Sequence, residues 1–317
     1  KNKFDIKLLE NYEYLQKSKH WIPCQNQVAE VAQDRFLINN WLDRMLVERL
    51  ESKSERILAS LKLNNNNWEQ AFYQHLTRNF GFKVNSVPFE LLAKSLPLSC
   101  LAKQKDKLFQ IEAMLFGQAG MLNNDFKDEY PNELKKEYEF LKRKYHLKPI
   151  EGQPWKFLRL RPSNFPTIRI SQFANLVFIS SKLFSKILEY DNITAIEKLF
   201  VISCSEYWQT HYVFDKPSAK KDKNLGKSAF EIIMINTIVP FLFIYGMQKK
   251  NEKYKERALE LLGKLHGDRN SIIDKWEKCG MPVKTAYHTQ ALLELKKEYC
   301  DQKKCLSCSI GNRLLRN

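Results

Sequence analysis

A chain of 317 residues with 44% hydrophobic side chains can bury a real core, which excludes wholesale disorder. Its 10 glycines and 11 prolines are too few for the many turns of an all-β fold, so long helices are favoured. The 52 basic and 36 acidic side chains leave a net charge of +16, which indicates either polyanionic partners or a lysine-rich surface. Seven cysteines, an odd number spread over a long chain, are not typical of a secreted disulfide scaffold, so we expect a cytoplasmic protein.

The first half of the chain reads as a series of helices. Residues 25–63 contain neither Gly nor Pro, which predicts one or two long helices. Asn67 is the expected N-cap of the next helix, with Gln70 placed to complete a capping box. The apolar stripes that follow lie at Trp68, Phe72, Leu76 and Phe80, at Leu108, Ile111, Leu115, Ala119 and Leu122, and at Leu134, Tyr138, Leu141 and Tyr145. Breaks are expected at 64–67, 86–89 and 129–132.

The second half continues the helical pattern. The segment 232–247 is apolar but about a turn short of the ~20 residues of a membrane span, so it predicts a buried helix kinked near Pro240 and no membrane partner. Further stripes lie at Tyr254, Ala258, Leu261, Leu262 and Leu265 and at Tyr287, Ala291, Leu295 and Tyr299. The sequence therefore predicts an all-α array of roughly a dozen helices in one domain, 1–317. Two prolines around a glycine make 148–154 a candidate boundary between two lobes.

The most unusual non-helical segment is "WKFLRLRPSNFPTIRI", residues 155–170. Its candidate anion-binding or nucleic-acid-binding residues are Lys156, Arg159, Arg161 and Arg169, which lie among aromatic side chains. Guanidinium groups beside aromatic rings suit phosphate contacts with base stacking, or bidentate binding of a carboxylate. The competing interpretation is an extended linker whose arginines pair with acidic side chains of neighbouring helices.

Cysteines are concentrated near the end of the chain, in "YCDQKKCLSCSIG". Cys300, Cys305 and Cys308 follow the C-x4-C-x2-C spacing that begins a plant-type iron–sulfur motif, and they would equally serve three corners of a zinc site. A fourth ligand would come from upstream, Cys279 or His288, and Lys303 and Lys304 would help to keep the thiols ionised.

The alternative, which we favour, is that these are three reduced, unligated thiols and that the protein has no cofactor. We expect the last helix before them to end near Cys300. The tail then folds back to bury Leu306 and Ile310, with Gly311 permitting the turn.

No other segment carries a catalytic signature. In "SEYWQTHY" the spacing of Glu206 and His211 does not match a zinc-protease motif, and a packed aromatic helix end is favoured. Phosphate-binding glycine loops and nucleophile elbows are absent from the sequence. Whether the chain is an enzyme is therefore left open.

Several sequence segments resemble those of a known family: "WEQAFYQHLTRNFGFKVNSVPFELLAKSLPL", "LFQIEAMLFGQAGML", "WKFLRLRPSNFPTIRISQFA", "SEYWQTHY" and "YCDQKKCLSCSIG". From about residue 8 to 315 the chain resembles the C-terminal part of a bacterial family of unknown function. The resemblance implies that complete members begin with a nuclease-like segment rich in Asp, Glu and His, which this chain does not contain. It transfers no catalytic residue to this chain.

Two functions follow as expectations. The first is a basic helical module that binds nucleic acid as a non-catalytic accessory to the nuclease-like segment, as the charge and the arginine cluster indicate. The second is a helical scaffold that docks a protein partner or its own missing N-terminal segment, which predicts an exposed apolar patch. An enzyme that uses zinc or an iron–sulfur cluster at the cysteines is the least favoured alternative.

Overall fold

Helices account for most of the computed structural model, which describes residues 6–152 and 155–316. In this range the only strands are His211–Val213 and Lys216–Pro217, which form a short antiparallel hairpin. The predicted all-α multi-helix array is confirmed.

In chain order the α-helices are α1 Ile6–Lys17, α2 Val28–Val31, α3 Arg35–Leu63, α4 Trp68–Phe80, α5 Phe82–Ser95, α6 Leu98–Ala102, α7 Leu108–Gln118, α8 Glu129–Tyr145, α9 Pro166–Ile179, α10 Leu183–Glu189, α11 Ile193–Leu199, α12 Tyr207–Thr210, α13 Lys227–Ile233, α14 Val239–Lys249, α15 Glu252–Lys264, α16 Ser271–Lys278, α17 Ala286–Glu294 and α18 Ser309–Arg316. Turns of 3-10 helix lie at Pro162–Asn164 and Cys305–Ser307, and π-helical segments at Met234–Ile238 and Leu295–Cys300.

Two compact units make up the chain. The terminal unit combines Lys1–Arg56 with Leu242–Asn317, and the central unit is Ile57–Phe241. The segment 148–154, the candidate lobe boundary, belongs to the central unit, and its Gln153 and Pro154 lie outside the described residues. It is held there because the Ile150 N–H donates to the Gln118 carbonyl at 2.9 Å and the Gln118 side-chain amide donates to the Lys148 carbonyl.

Each unit has its own apolar core. In the central unit the rings of Phe72, Phe184 and Phe241 pack edge to face or tilted at centroid separations of 5.2–5.7 Å. In the terminal unit Trp276 is fully buried and packs edge to face on Trp21 at 5.1 Å. Aromatic pairs of this geometry add stabilisation beyond the area that they bury.

Local predictions were partly right. The Asn67 side chain caps α4 by accepting from the Gln70 N–H at 3.0 Å, but the capping box is wrong, because the Gln70 side chain accepts from the Leu98 N–H instead. The break expected at 86–89 is a kink at Asn85 inside α5, just before Pro88. The break expected at 129–132 is wrong because Pro131 lies in the first turn of α8, where its missing N–H costs nothing.

The apolar segment 232–247 lies in a continuous helical stretch, Lys227–Lys249. By length and composition alone this stretch could cross a membrane, but 72% of its most apolar window is buried in the protein. The expected disturbance near Pro240 is the π-helical segment Met234–Ile238, which immediately precedes α14. Pro240 has no N–H to donate to the Asn236 carbonyl, and the Asn79 side chain donates to that carbonyl at 3.1 Å.

Candidate anion-binding cleft

A cleft of about 880 Å³ opens in the central unit between the α4–α5 turn, the segment around 160–169 and the start of α13. Five basic side chains line it: Arg78, Lys83, Arg161, Arg169 and Lys227. The described residues of its lining include no Asp or Glu. A cleft that gathers several cations has a positive potential, so the arrangement is suited to an anionic ligand.

The first wall is the turn between α4 and α5. Phe82 has a φ of 47°, in the left-handed region that bulky side chains rarely adopt. Gly81 precedes it, and a Cβ at that position would overlap the Asn85 carbonyl. The close approach of the two backbones therefore requires glycine, and the strained turn places Lys83 on the rim of the cleft.

The second wall is the extended segment that leads into α9. The Asn85 side chain accepts from the Lys156 N–H and donates to the Lys156 carbonyl, each at 2.9 Å. The Trp155 indole N–H donates to the Ala119 carbonyl at 2.9 Å. These bonds satisfy the backbone of Lys156 and anchor the start of the segment, and the following Leu160 and Arg161 line the cleft.

The third wall is the N-terminus of the 23-residue helical stretch Lys227–Lys249. Gly226, Lys227, Ser228 and Ala229 all line the cleft. The Ala229 and Phe230 N–H groups both donate to the Gly226 carbonyl, at 2.9 and 3.1 Å. As the first two residues of the helix, Lys227 and Ser228 have amides without an intrahelical acceptor, and the helix dipole adds positive potential there.

Arg169 forms the floor of the cleft. Its side chain is held in place because it donates through Nη1 to Gln172 at 2.8 Å and through Nη2 to Asn164 at 2.6 Å, and its guanidinium lies 4.5 Å from the centre of the Phe82 ring. The residue is only 5% exposed, and its buried Nε has no hydrogen-bond partner. Burial lowers the pKa of Arg169 to about 10, so the guanidinium is still charged at neutral pH.

The structure brings together only two of the four predicted anion-binding residues. Arg161 and Arg169 line the cleft, whereas Lys156 and Arg159 are exposed elsewhere on the surface. Aromatic side chains of the same segment are used in packing: Trp155 lies edge to face on Phe89 and Phe157 on Phe165, both at 5.2 Å. We expected these rings to contribute to nucleic-acid binding by stacking on bases. Because they pack against other rings of the protein, they do not provide a stacking surface in the cleft.

Sequence reasoning missed three of the five cleft cations. Arg78, Lys83 and Lys227 lie far from 155–170 in the chain. Arg78 forms an ion pair with Glu90, which also accepts from Lys94 at 2.9 Å, so its charge is partly compensated. Gly226, which precedes the apolar helix, could have indicated Lys227 as a cleft residue. A glycine at this position marks the start of a helix whose N-terminus has no side-chain cap.

The cysteine tail lies in the terminal unit, and helix continues through the π segment to Cys300 as predicted. Cys305 and Cys308 are buried with Ile310, but Leu306 is 52% exposed, contrary to prediction. Gly311 lies inside α18 and makes no turn. Glycine is required there because a Cβ would overlap the Cys305 carbonyl.

A fourth thiol accompanies the three tail cysteines. Cys24 lies near Cys308, Cys305 and the expected upstream ligand Cys279, each of which raises its pKa, and Cys300 lies near Cys308 and Cys24. Burial raises the pKa of Cys24 to about 12 and that of Cys308 to about 11, so these two thiols are protonated at neutral pH. Lys303 lowers the pKa of Cys305, the expected direction, but burial raises that pKa by more. His288, the other expected ligand, pairs with the Thr285 hydroxyl at 2.8 Å. Over residues 6–152 and 155–316, no three His, Cys, Asp or Glu side chains are arranged to hold a metal ion.

A buried carboxyl group lies apart from the cleft in the central unit. Glu112 is 1% exposed and accepts from Ser171 and Tyr130 at 2.6 Å and from Ser205 at 3.0 Å. Burial raises its pKa, and the three hydroxyls oppose that shift. The His211 ring stacks on Tyr207 at 4.0 Å, the aromatic helix end expected for "SEYWQTHY". These residues cross-link helices and loops of the unit.

Comparison with protein families identifies the chain. The model of a family described as a protein of unknown function (DUF2851) matches residues 1–271. The chain belongs to this family. The matched range contains every residue that lines the cleft, whereas Cys300, Cys305 and Cys308 lie beyond it. Neither the curated proteins nor the solved structures contain a match.

Proposed function

We propose that this DUF2851 chain is a nucleic-acid-binding module, a non-catalytic accessory to a nuclease-like segment, and that its basic cleft is the binding surface. The observation that carries the proposal is the lining of the cleft, which contains five basic side chains and, among the described residues, no Asp or Glu. The net charge of +16 supports the same class of partner. Seven free cysteines fit the reducing cytoplasm that we infer as its location.

The chemistry of the cleft favours contacts with phosphates over contacts with bases. Its polar groups are guanidinium, ammonium and backbone N–H donors, which suit phosphate oxygens. The rings of Phe157 and Phe165, in the same segment as Arg161, are already packed on one another. Binding should therefore be insensitive to sequence, and it should weaken as salt rises, because bound phosphates release counterions.

The test compares two double variants that lose the same charge. Arg161→Gln with Lys227→Gln removes two cations from the cleft, and Lys156→Gln with Arg159→Gln removes two exposed cations outside it. We expect the cleft variant to bind a fluorescent single-stranded oligonucleotide more weakly and to lower the slope of log Kobs against log salt by about one to two. The control variant should retain most of the affinity and slope.

Equal behaviour of the two variants would mean that total charge, not the cleft, determines binding. No binding of DNA or RNA by the unmodified chain at low salt would end the proposal. Both variants change exposed side chains, so unfolding of the protein is not expected to confuse the comparison.

A protein-docking scaffold is the second candidate, and α1 favours it. Ile6 and Leu9, one turn apart on this helix, are 70% and 49% exposed, and Tyr14 is 51% exposed. Exposed apolar side chains along one helix are typical of a docking surface. Pull-down from lysate with and without nuclease treatment, using Ile6→Ser with Leu9→Ser as the control variant, separates the two candidates. A partner that survives nuclease treatment and is lost in that variant supports the scaffold.

A further inference from the structure

We infer that the floor of the cleft is a phosphate-monoester subsite, which in the proposed function takes the terminal phosphate of a single nucleic-acid strand. This inference rests on the proposed function for the identity of the strand. The subsite itself is built from Arg169 and the N-terminus of the Lys227–Lys249 helical stretch, both of which line the cleft.

Arg169 is the first component because it is a buried cation with neutral partners. Its side chain donates to the amide oxygens of Gln172 and Asn164, and no acidic side chain of the described residues pairs with it. Nε is enclosed and has no partner. A buried charge without a counterion is costly, so a group of this kind is retained where a ligand supplies the counterion. Arg169 lines the cleft, so a phosphate bound there would supply the negative charge that the guanidinium lacks.

The helix N-terminus is the second component. Gly226 precedes it in an extended conformation, with φ −72° and ψ 157°, and no side chain caps the first turn. Gly226 contributes no side chain, so the amides of Lys227 and Ser228 remain open to a ligand oxygen. The exposed Lys227 ammonium adds a charge at the same point.

The arrangement of floor and rim favours a terminal phosphate. A monoester presents three free oxygens and a charge of about −1.5 to −2, whereas an internal diester presents two oxygens and has chain on both sides. Arg169 on the floor and the helix N-terminus of the third wall both line the cleft, and the exposed Lys83 and Arg161 lie on the rim, where following phosphates would lie. The volume of about 880 Å³ is within the ~300–1,000 Å³ range of small-molecule pockets, a size that suits the end of a strand.

The experiment measures four ligands on the full chain by fluorescence competition and by thermal shift. These are one single-stranded oligonucleotide with a 5′-phosphate, the same oligonucleotide with a 5′-hydroxyl, a nucleoside monophosphate and inorganic phosphate. We expect the phosphorylated strand to bind at least about tenfold more tightly than the hydroxyl strand, and both small phosphates to compete and to raise the Tm.

Variants assign this preference to the two components. Arg169→Gln should weaken binding of the phosphorylated strand about 10- to 100-fold and bring it level with the hydroxyl strand. Lys227→Pro removes the first amide of the helix at a position that tolerates proline, and Lys227→Ala removes only the ammonium. The proline variant should lose more of the preference than the alanine variant. It also keeps the test valid should Arg169→Gln unfold.

The outcomes separate this inference from the proposed function. Equal, salt-dependent binding of both strands overturns the monoester subsite and leaves nucleic-acid binding standing. Competition by small phosphates that depends on Arg169, without binding of either strand, supports the subsite and overturns the proposed function. A preference for the phosphorylated strand that survives both Arg169→Gln and Lys227→Pro overturns the assignment to the floor.

Discussion

At the scale of single residues, burial has changed the chemistry of ionisable groups in both units. Arg169 has its pKa lowered by burial, and Cys24 and Cys308 have theirs raised, because desolvation disfavours the charged form in each case. The position of a residue in the sequence does not predict whether it is buried. Arg159 and Arg169 belong to one short segment, yet Arg159 is exposed and Arg169 is almost completely buried.

Lys53 should make the stability of the protein depend on pH. Burial and the neighbouring Arg49 lower its pKa to about 7. Between pH 7 and about 10.4, the ordinary lysine pKa, the unfolded chain binds more protons than the folded chain, so stability rises with pH. We expect the Tm to increase from pH 7 to 9 in the native protein and to increase less in Lys53→Met. Lys62→Met, at an exposed position on the same helix, is the control, and equal slopes in both variants would contradict the assignment.

The buried thiols should be unreactive and free of metal. Because burial raises the pKa of Cys24, Cys300 and Cys308, few thiolates are present at pH 8, and alkylation by iodoacetamide should be slow in the native protein and fast after denaturation. The partly exposed Cys100 is the internal reference. Elemental analysis of protein purified with and without oxygen completes the test. About one zinc or several irons per chain would show instead that the tail cysteines hold a metal.

At the scale of elements, close approaches between helices depend on particular small or polar residues. A Cβ at Gly117 in α7 would overlap the Tyr138 ring of α8. Asn79, at the end of α4, donates to both the carbonyl of Asn236 and the hydroxyl of Thr237, at 3.1 and 2.7 Å. Helix periodicity predicts α4, α7 and α8 but says nothing of which residues let them touch.

Two glycine-to-alanine substitutions should have opposite effects on stability. Gly117→Ala forces a methyl group into the Tyr138 ring, which should lower the free energy of unfolding by about 1–3 kcal/mol. Gly263→Ala lies in α15 with no atom within 4 Å of the added methyl group, so it should raise that free energy by about 0.5–1 kcal/mol. Chemical denaturation of both variants measures the difference, and a shift of the same sign in both would refute the packing argument.

At the scale of the whole molecule, two features indicate different partners: a large positive charge indicates anions, and one long apolar helical stretch indicates a membrane. The charge of +16 belongs to the surface and attracts anions. The stretch Lys227–Lys249 is long enough for a membrane, yet most of its apolar window is already covered by protein. Its first residues also line the basic cleft, which requires them to meet water.

We therefore predict that the folded chain does not bind uncharged membranes. In flotation with zwitterionic phosphatidylcholine vesicles it should stay in the lower fraction, since exposing the buried window would break the core. Vesicles with anionic lipid are the comparison, because surface charge alone can attract the chain to them. Flotation with the zwitterionic vesicles, resistant to high salt, would contradict the prediction.

The sequence by itself determined the class of fold and several local features. Scarce Gly and Pro, apolar stripes and the cap at Asn67 are short-range properties, and helices such as α4 and α15 formed where they predicted them. The tertiary structure alone decided the cleft. Arg78, Lys83, Arg161, Arg169 and Lys227 come from distant parts of the chain, and only packing brings them together in one cleft. The physical reason is range: helix formation depends on neighbours within a turn or two, whereas burial and charge clustering depend on contacts between segments that periodicity does not specify.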